Sequence, residues 1–450
     1  MLTEEACRKI VDLATHHAGK AVDGIEVHLL GTDIETSRFA NNEMTQHQAN
    51  TIDRLAVRVL SEGRQIRLET DDLSTAGVCA VVDDAIDAVK LMEKDQCLLP
   101  LPQTDNDSQW HSYPDRYEKD ITRITAADRA SAISAMIGVA TENKLSAAGV
   151  YATGTHFEAV GNSRGLFGYH RETHAECSVT MCGPDSTGWA KNQGPHGKQV
   201  NTLELAKRAA FKATSSSKPE AVTPGRYTVI LEHSAFLDLL AYLWWDFTGT
   251  SHLDKRSSLL DKVGEKVFGD NVTIEDDVYH QEQAGCPFDG EGLARKKVTI
   301  VENGVLRNLV YGRRSASRMG VAPTGHGLPE PNALGDNPMN LVIAGNGSTV
   351  ADMVKGTDKG ILLTRVWYVR QVDPARKIVT GMTRDGTFLV ENGAISRGIK
   401  NLRFNVSLID LLKNVVTVGH ARRTAGEEGV PQVVPAMKIA DFNFTEVTRF

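Results

Sequence analysis

The sequence predicts an α+β fold in two parts, an α/β domain over residues 1–220 and a β-rich domain over residues 221–450. Three observations carry this. The chain is 450 residues long, enough for two or three domains. Its first half mixes helical periodicity with strand-like alternation, whereas its second half is mostly short strand patterns parted by Gly, Pro and Asn. Between them, residues 215–225 hold three serines, two prolines and a glycine, the composition of a boundary.

Thr3 stands where it can cap a helix, because Cys7, Ile10, Val11 and Ala14 follow at helical spacing. Ile25, Val27 and Leu29 alternate as in a half-buried strand. Leu55, Val57 and Val59 alternate again, with Arg54 and Arg58 on the opposite face. Asp72 opens a second helix with Leu73, Ala76, Ala80 and Val81 on one side. Residues 100–118, rich in Pro, Asp, Ser and Asn, read as a long surface connection. A third helix is expected over 126–143, long strands over 146–181 broken at 161–165, and a fourth helix over 203–214. In the second half, strands are expected at 227–231, 297–301, 340–344, 361–369 and 387–390. Ser234 is the expected cap and Gly249 the expected stop of a helix carrying Phe236, Leu237, Leu240, Tyr242, Leu243, Trp244 and Trp245. Apolar around much of its circumference, that helix belongs in a core or an interface. Glu-Asn-Gly occurs at 302–304 and at 391–393, each after a β-branched run. Asn-Gly favours a type I′ hairpin turn, since both central residues need positive φ. The two read as separate hairpins of one large sheet or as a duplicated β unit.

Apolar residues at 41% and charged residues at 24% are ordinary for a globular chain. A net charge of −7 argues against general nucleic-acid binding, which needs clustered Lys and Arg. No apolar run of about 18 residues is present, so no membrane partner is expected. The first residues lack the basic and apolar regions of a secretory leader, which makes a cytoplasmic location the expectation. The six cysteines are scattered without a Cys-x-x-Cys pair and read as free, mostly buried thiols. Cys177 and Cys182, five apart, fall on opposite faces of a strand.

Few motifs carry chemistry. His170 and His174 lie in a strand pattern, about 13 Å apart at about 3.3 Å per residue, too far to share one zinc ion. They read as a solvated strand face. Phe288-Asp289-Gly290-Glu291-Gly292 reads as a turn whose carboxylates bind backbone N–H groups, and is weak as a catalytic pair. Thr324-Gly325-His326-Gly327, followed by Pro329 and Pro331, reads as an exposed loop, and His326, with no obvious partner nearby, as a surface or hydrogen-bonded histidine. Residues 383–386 read as a hairpin turn with Asp385-Gly386 at its tip. Positions 366, 368 and 370 share one strand face and 365, 367 and 369 the other. Such an edge either receives an extended peptide by strand addition or is the solvated side of a sheet. The letters Gly161-Asn162-Ser163-Arg164-Gly165 match a nucleophile elbow, but a strand rather than a helix follows, so a plain β-turn is expected. A P-loop is absent, and Gly345-Asn346-Gly347 lacks the third glycine of a dinucleotide fingerprint.

The segments 262–267, 273–277, 288–292, 301–306, 315–320, 324–325 and 380–393, in this order and spacing, resemble the TldD/TldE (PmbA) metallopeptidase family. The likeness is densest from about residue 225 to 440 and looser before it. It implies a two-domain subunit with a large, strongly curved, mostly antiparallel sheet, and a dimer. In that family a TldD subunit carries zinc and cuts unfolded peptides held in extended form, and a TldE subunit pairs with it without metal ligands. The His-Glu-x-x-x-His of the catalytic branch occurs nowhere in this chain. A gapless carry-over from 227–231 puts Ala241 and Asp246 at the two histidines and Tyr242 at the glutamate. The family's third ligand is a Cys near the carboxy terminus, but the last Cys here is Cys286. The chain also departs from the TldE pattern at 367–374, where Trp-Tyr-Val-Arg-Gln-Val-Asp-Pro replaces a more glycine-rich stretch.

The resemblance therefore implies a non-catalytic TldE/PmbA-like subunit that helps form a peptide chamber with a TldD-like partner. The alternative is a stand-alone homodimer that binds unfolded peptides without cutting them. No catalytic residue, metal ligand or cofactor is expected in this chain, and zinc is expected in the partner. The candidate peptide-binding residues are Arg365, Tyr368, Arg384, Asp385 and His326.

Overall fold

The computed structural model describes residues 1–103 and 113–448. The middle of the connection expected over 100–118 thus lies outside the described residues. Helix α1 (Glu4–Ala18) starts at Thr3, whose hydroxyl accepts the Ala6 N–H, and it buries Cys7, Val11 and Ala14. Six antiparallel strands follow one another into a sheet of order β3-β2-β1-β4-β5-β6. They are β1 (Gly24–Ala40), β2 (Glu43–Ser61), β3 (Arg64–Thr70), β4 (Ser146–Asn162), β5 (Phe167–Cys182) and β6 (Thr187–Gly194). The short apolar alternations in the sequence are the buried ends of much longer strands. Residues 161–165 form the expected turn, with Gly165 at φ 85°.

Helix α2 (Thr75–Val89) begins later than Asp72, because the Asp72 carboxylate accepts the Ser74 N–H and Ser74 itself caps the helix. Its buried face is Val78, Val81, Val82, Ala85 and Val89, one turn beyond the expected one. A reciprocal Thr125–Asp128 capping box starts α3 (Ala126–Glu142), and Asn201 caps α4 (Thr202–Ser215). α1 and α2 pack on Ile25, Val27, Leu29, Leu55, Val57 and Val59. α3 and α4 pack on Ala147, Tyr151, Cys177 and Val179, which lie on the same face of the sheet. The opposite face is not solvated where the sequence placed polar residues. Arg58 and His170 are buried there, Arg58 against Glu26 and His170 against the Tyr113 hydroxyl at 2.9 Å.

After β7 (Arg226–Leu231) come α5 (His233–Leu240), a 3₁₀ helix (Ala241–Phe247) and α6 (Gly249–Leu253). The single helix expected over this stretch is therefore broken. Ser234 does not cap it, because its hydroxyl donates to Ala425 O. Gly249 starts a helix instead of ending one, because Thr248 turns to an extended conformation and accepts the Ser251 N–H. The remaining elements are β8 (Ile274–Asp276), β9 (Val298–Glu302), β10 (Val305–Leu306), α7 (Arg313–Met319), β11 (Leu341–Ile343), α8 (Val350–Lys355), β12 (Lys359–Leu363), β13 (Val366–Asp373), β14 (Ile378–Thr383), β15 (Thr387–Glu391), β16 (Ala394–Gly398), β17 (Leu402–Ser407), α9 (Leu408–Lys413), β18 (Val415–Thr424) and β19 (Gln432–Val447). Thirteen strands join in one open sheet whose main path is β10-β9-β8-β11-β19-β7-β12-β15-β16. Among the strand pairs of the described residues, only β7–β12 and β11–β19 are parallel. α5 and α9 lie against β19 over the largest apolar core.

The breaks at 364–365 and 383–386 decide how the site is built. Both Asn-Gly pairs are positive-φ hairpins, Asn303 and Gly304 at 47° and 80°, Asn392 and Gly393 at 51° and 76°. Residues 383–386, by contrast, are not a hairpin. β14 pairs with β13 and β17, β15 pairs with β12 and β16, and the two strands they join do not pair. The strand expected over 361–369 is likewise two strands, parted at Thr364 and Arg365. The Thr364 hydroxyl donates to Asp385 O and Gly386 O, so the two breaks hold each other. No helix among the described residues is long and apolar enough to cross a membrane.

Candidate functional site

The positions to which the sequence resemblance carries the zinc motif, Ala241, Tyr242 and Asp246, lie on the 3₁₀ helix after α5. Ala241 offers a methyl group. The Tyr242 hydroxyl lies 2.7 Å from Val369 O and 2.7 Å from a Glu428 carboxylate oxygen, and burial pushes its pKa up to about 12. Asp246 is buried and already engaged. Lys377 Nζ stands 2.6 Å from one carboxylate oxygen and the Ser258 N–H donates to the other at 2.6 Å. Zinc needs three or four N, S or O donors at about 2 Å. A methyl, a phenol and a carboxylate held by its own lysine do not fit it. Among the described residues, no three His, Cys, Asp or Glu side chains come together as metal ligands.

A loop at 425–430 closes over this helix. The buried Asp238 carboxylate on α5 accepts the N–H groups of Glu427, Glu428 and Gly429 at 3.1, 3.0 and 2.9 Å. Burial outweighs these bonds and pushes its pKa up to about 6. Gly426 is required there, since a Cβ would sit 2.1 Å from Asp238 Oδ1. The loop thereby brings Glu428 to Tyr242 and Glu427 to Arg365.

Beside the loop runs β13, which among the described residues pairs only with β14 and so has an edge free of any strand, its Val369 carbonyl taken by the Tyr242 hydroxyl. A bulge separates the Trp367–Met382 pair from the Arg370–Thr380 pair, and within it Tyr368 adopts φ +53°. The bulge breaks the two-residue alternation expected from the sequence. Val366 and Val369 are both buried, while Tyr368 is 58% exposed. Tyr368 packs edge-on against Trp367 at 5.5 Å, and the Arg370 guanidinium lies 5.5 Å from the Tyr368 ring.

The structure brings four of the five candidate residues together, in two roles. Tyr368 and Arg384 reach the surface. Arg365 and Asp385 do not; they are a buried ion pair, with Glu427 as a second carboxylate 2.7 Å from Arg365. Arg365 sits at the break between β12 and β13 and turns inward because Trp189 and Asp385 wait for it there. His326 is elsewhere and is not an exposed loop residue. It is 1% exposed, with Nε2 2.9 Å from Asp276 Oδ1 and Nδ1 2.9 Å from the Thr324 hydroxyl. Asp276, on β8, lies fifty positions away, so no local signal announces it. Phe288–Gly292 behaves as expected: Asp289 accepts the N–H groups of Glu291, Leu293 and Gly327. Residues that sequence reasoning missed are Trp189, Asp238, Lys377 and Glu428. Each meets its partner only through tertiary packing.

A family model for the PmbA/TldA metallopeptidase C-terminal domain matches residues 224–446. The Metalloprotease PmbA of Escherichia coli O157:H7 is 26% identical over 98% of this chain and 96% of its own length. The crystal structure of TldE from Thermococcus kodakarensis superposes with a TM-score of 0.87 at 18% identity, over 98% of this chain and all of that one. A putative modulator of DNA gyrase from Thermotoga maritima gives 0.83 at 19% identity, with the same coverage. The chain belongs to the PmbA/TldD/TldE family.

Proposed function

We propose that this chain is a metal-free, TldE/PmbA-like subunit that pairs with a zinc-bearing TldD-like partner and helps enclose unfolded peptides for cleavage. The observation that carries the reading is the state of the motif positions: Ala241, Tyr242 and an Asp246 already neutralised by Lys377. The free edge of β13 supports a share in peptide holding. An extended chain added there gains main-chain hydrogen bonds that are tolerant of sequence, which suits unfolded substrates. Tyr368 lies in that strand and Arg384 reaches over its Trp367 ring from the end of β14, whereas Arg365 and Asp385 pair beneath it.

The test is reconstitution. This chain and a TldD-like partner are purified separately, assayed alone and mixed, and their zinc content is measured. The expected result is zinc in the partner only, and cleavage of an unfolded peptide only by the mixture. Stoichiometric zinc with full cleavage by this chain alone would overturn the reading. Peptide binding by a homodimer, with no stimulation of any partner, would favour the stand-alone binding protein.

A further inference from the structure

This inference rests on the reading that the chain holds extended peptides, and it names the chemistry that the β13 edge selects. A ladder of rings and cations runs there from the interior to the surface. Its inner end is Trp189, 2% exposed. The Arg365 guanidinium lies 4.3 Å from the Trp189 ring and 4.9 Å from the Trp367 ring. The Arg384 guanidinium lies 4.6 Å from the same Trp367 ring, and its side chain is 46% exposed. The backbone fixes its position, because the Arg384 N–H donates to Arg365 O.

The charges along this ladder are unequally matched. Arg365 has two carboxylates, Asp385 and Glu427. Arg370 has Glu428 at 3.3 Å. Among the described residues Arg384 has only Asp385 as an ion-pair partner, at 3.8 Å, and Arg365 holds that carboxylate more closely. A guanidinium kept over an indole by cation–π attraction retains its in-plane N–H groups for another acceptor. The acceptor that fits a planar fork of donors is a carboxylate, held through two parallel charge-assisted bonds.

We propose that Arg384, on its Trp367 platform, is a carboxylate-reading site for extended peptides lying along the free edge of β13. The carboxylate comes from an Asp or Glu side chain or from a peptide's own carboxy terminus.

Fluorescence anisotropy with the full chain tests this, using four labelled unstructured peptides of equal length. One is neutral and amidated, one neutral with a free carboxy terminus, one amidated with internal Asp and Glu, and one amidated with internal Lys. The expected result is about tenfold tighter binding of a carboxylate-bearing peptide over the neutral amidated one, shrinking at high salt. A gain confined to the free terminus assigns the terminal carboxylate, and a gain confined to the internal acids assigns side chains. Arg384→Gln abolishes the gain, Arg384→Lys keeps part of it, and Arg370→Gln leaves it in place. Equal affinity for all four peptides, or a gain that survives Arg384→Gln, overturns this inference and leaves the peptide-holding reading standing. Binding of no peptide removes both.

Discussion

The turn at 288–292 with its neighbour His326, and the crossing at 364–365 with 384–386, look alike in sequence. Both are short, rich in Gly and charge, and lie between strand patterns. In the structure they go opposite ways. Around the first, each charged group finds its partner inside the chain. Asp289 has three backbone N–H donors, Glu291 has the Arg313 N–H at 3.1 Å and its guanidinium at 3.2 Å, and His326 has Asp276. Around the second, the inner groups are matched in the same way, but Arg384 is left half exposed with a carboxylate that belongs to Arg365. Burial of charge demands internal partners, so a closed count marks scaffolding. A surplus charge at the rim is the one available to a ligand.

The largest expected effect breaks this comparison or confirms it. His326→Ala leaves the Asp276 carboxylate buried with the Asn340 N–H but without its imidazole. Breaking a fully buried pair from one side costs about 3–5 kcal/mol, whereas an exposed substitution such as Arg384→Gln stays within about 0.5 kcal/mol. Urea unfolding of both variants measures the contrast. If His326→Ala costs no more than Arg384→Gln, the loop at 324–327 is not scaffolding and the distinction drawn between the two regions fails.

A second, smaller effect depends on pH. Burial, and next the charge of Asp289, raise Glu291 to about 8 from the usual 4.5, against the pull of Arg313. Between those values the folded chain keeps a proton that the unfolded chain has released. The unfolded state binds fewer protons, so this group's contribution makes stability fall as pH rises from about 5 to 8. Glu291→Gln, which stays neutral, removes that contribution. Stability of the wild type relative to Glu291→Gln should therefore decline between pH 5 and pH 8. A constant or rising difference would mean that Glu291 is already ionised at pH 5, and that the turn at 288–292 is open to water.

Much of the first half was legible because its signals are local. Thr3 caps the helix it precedes, the helix expected over 126–143 is there, and the alternation of Ile25, Val27 and Leu29 marks a real buried face. The two Asn-Gly turns were legible for the same reason, since positive φ is a property of the residues themselves. The site was not. Arg365 looks like a surface residue until Trp189, about 180 positions earlier, closes over it. Residues 383–386 carry hairpin chemistry, yet which strands they join is decided by β12 and β17, not by the turn. Ser234 has the composition of a cap, but a carbonyl at Ala425 claims its hydroxyl. In each case a long-range partner won over a local preference. The missing zinc motif was readable letter by letter, whereas the Lys377–Asp246 pair standing there was not, because Lys377 comes from another strand's turn.

The smallest expected effect sharpens the picture of the open region. Tyr368 holds φ +53° inside the β13 bulge, where an L residue carries a cost of roughly 1–2 kcal/mol that glycine does not. Its ring is mostly exposed, so the stacking on Trp367 offsets little of that cost. Tyr368→Gly should consequently be more stable than Tyr368→Ala by about 1 kcal/mol, the reverse of the usual order within a strand. Thermal unfolding of the two variants gives the sign. If alanine is the better tolerated, the bulge relaxes once the ring is gone, and the aromatic side chain itself holds the strained backbone. If glycine is better, the bulge belongs to the fold, and the tyrosine is kept at a cost in stability for what its exposed ring contacts.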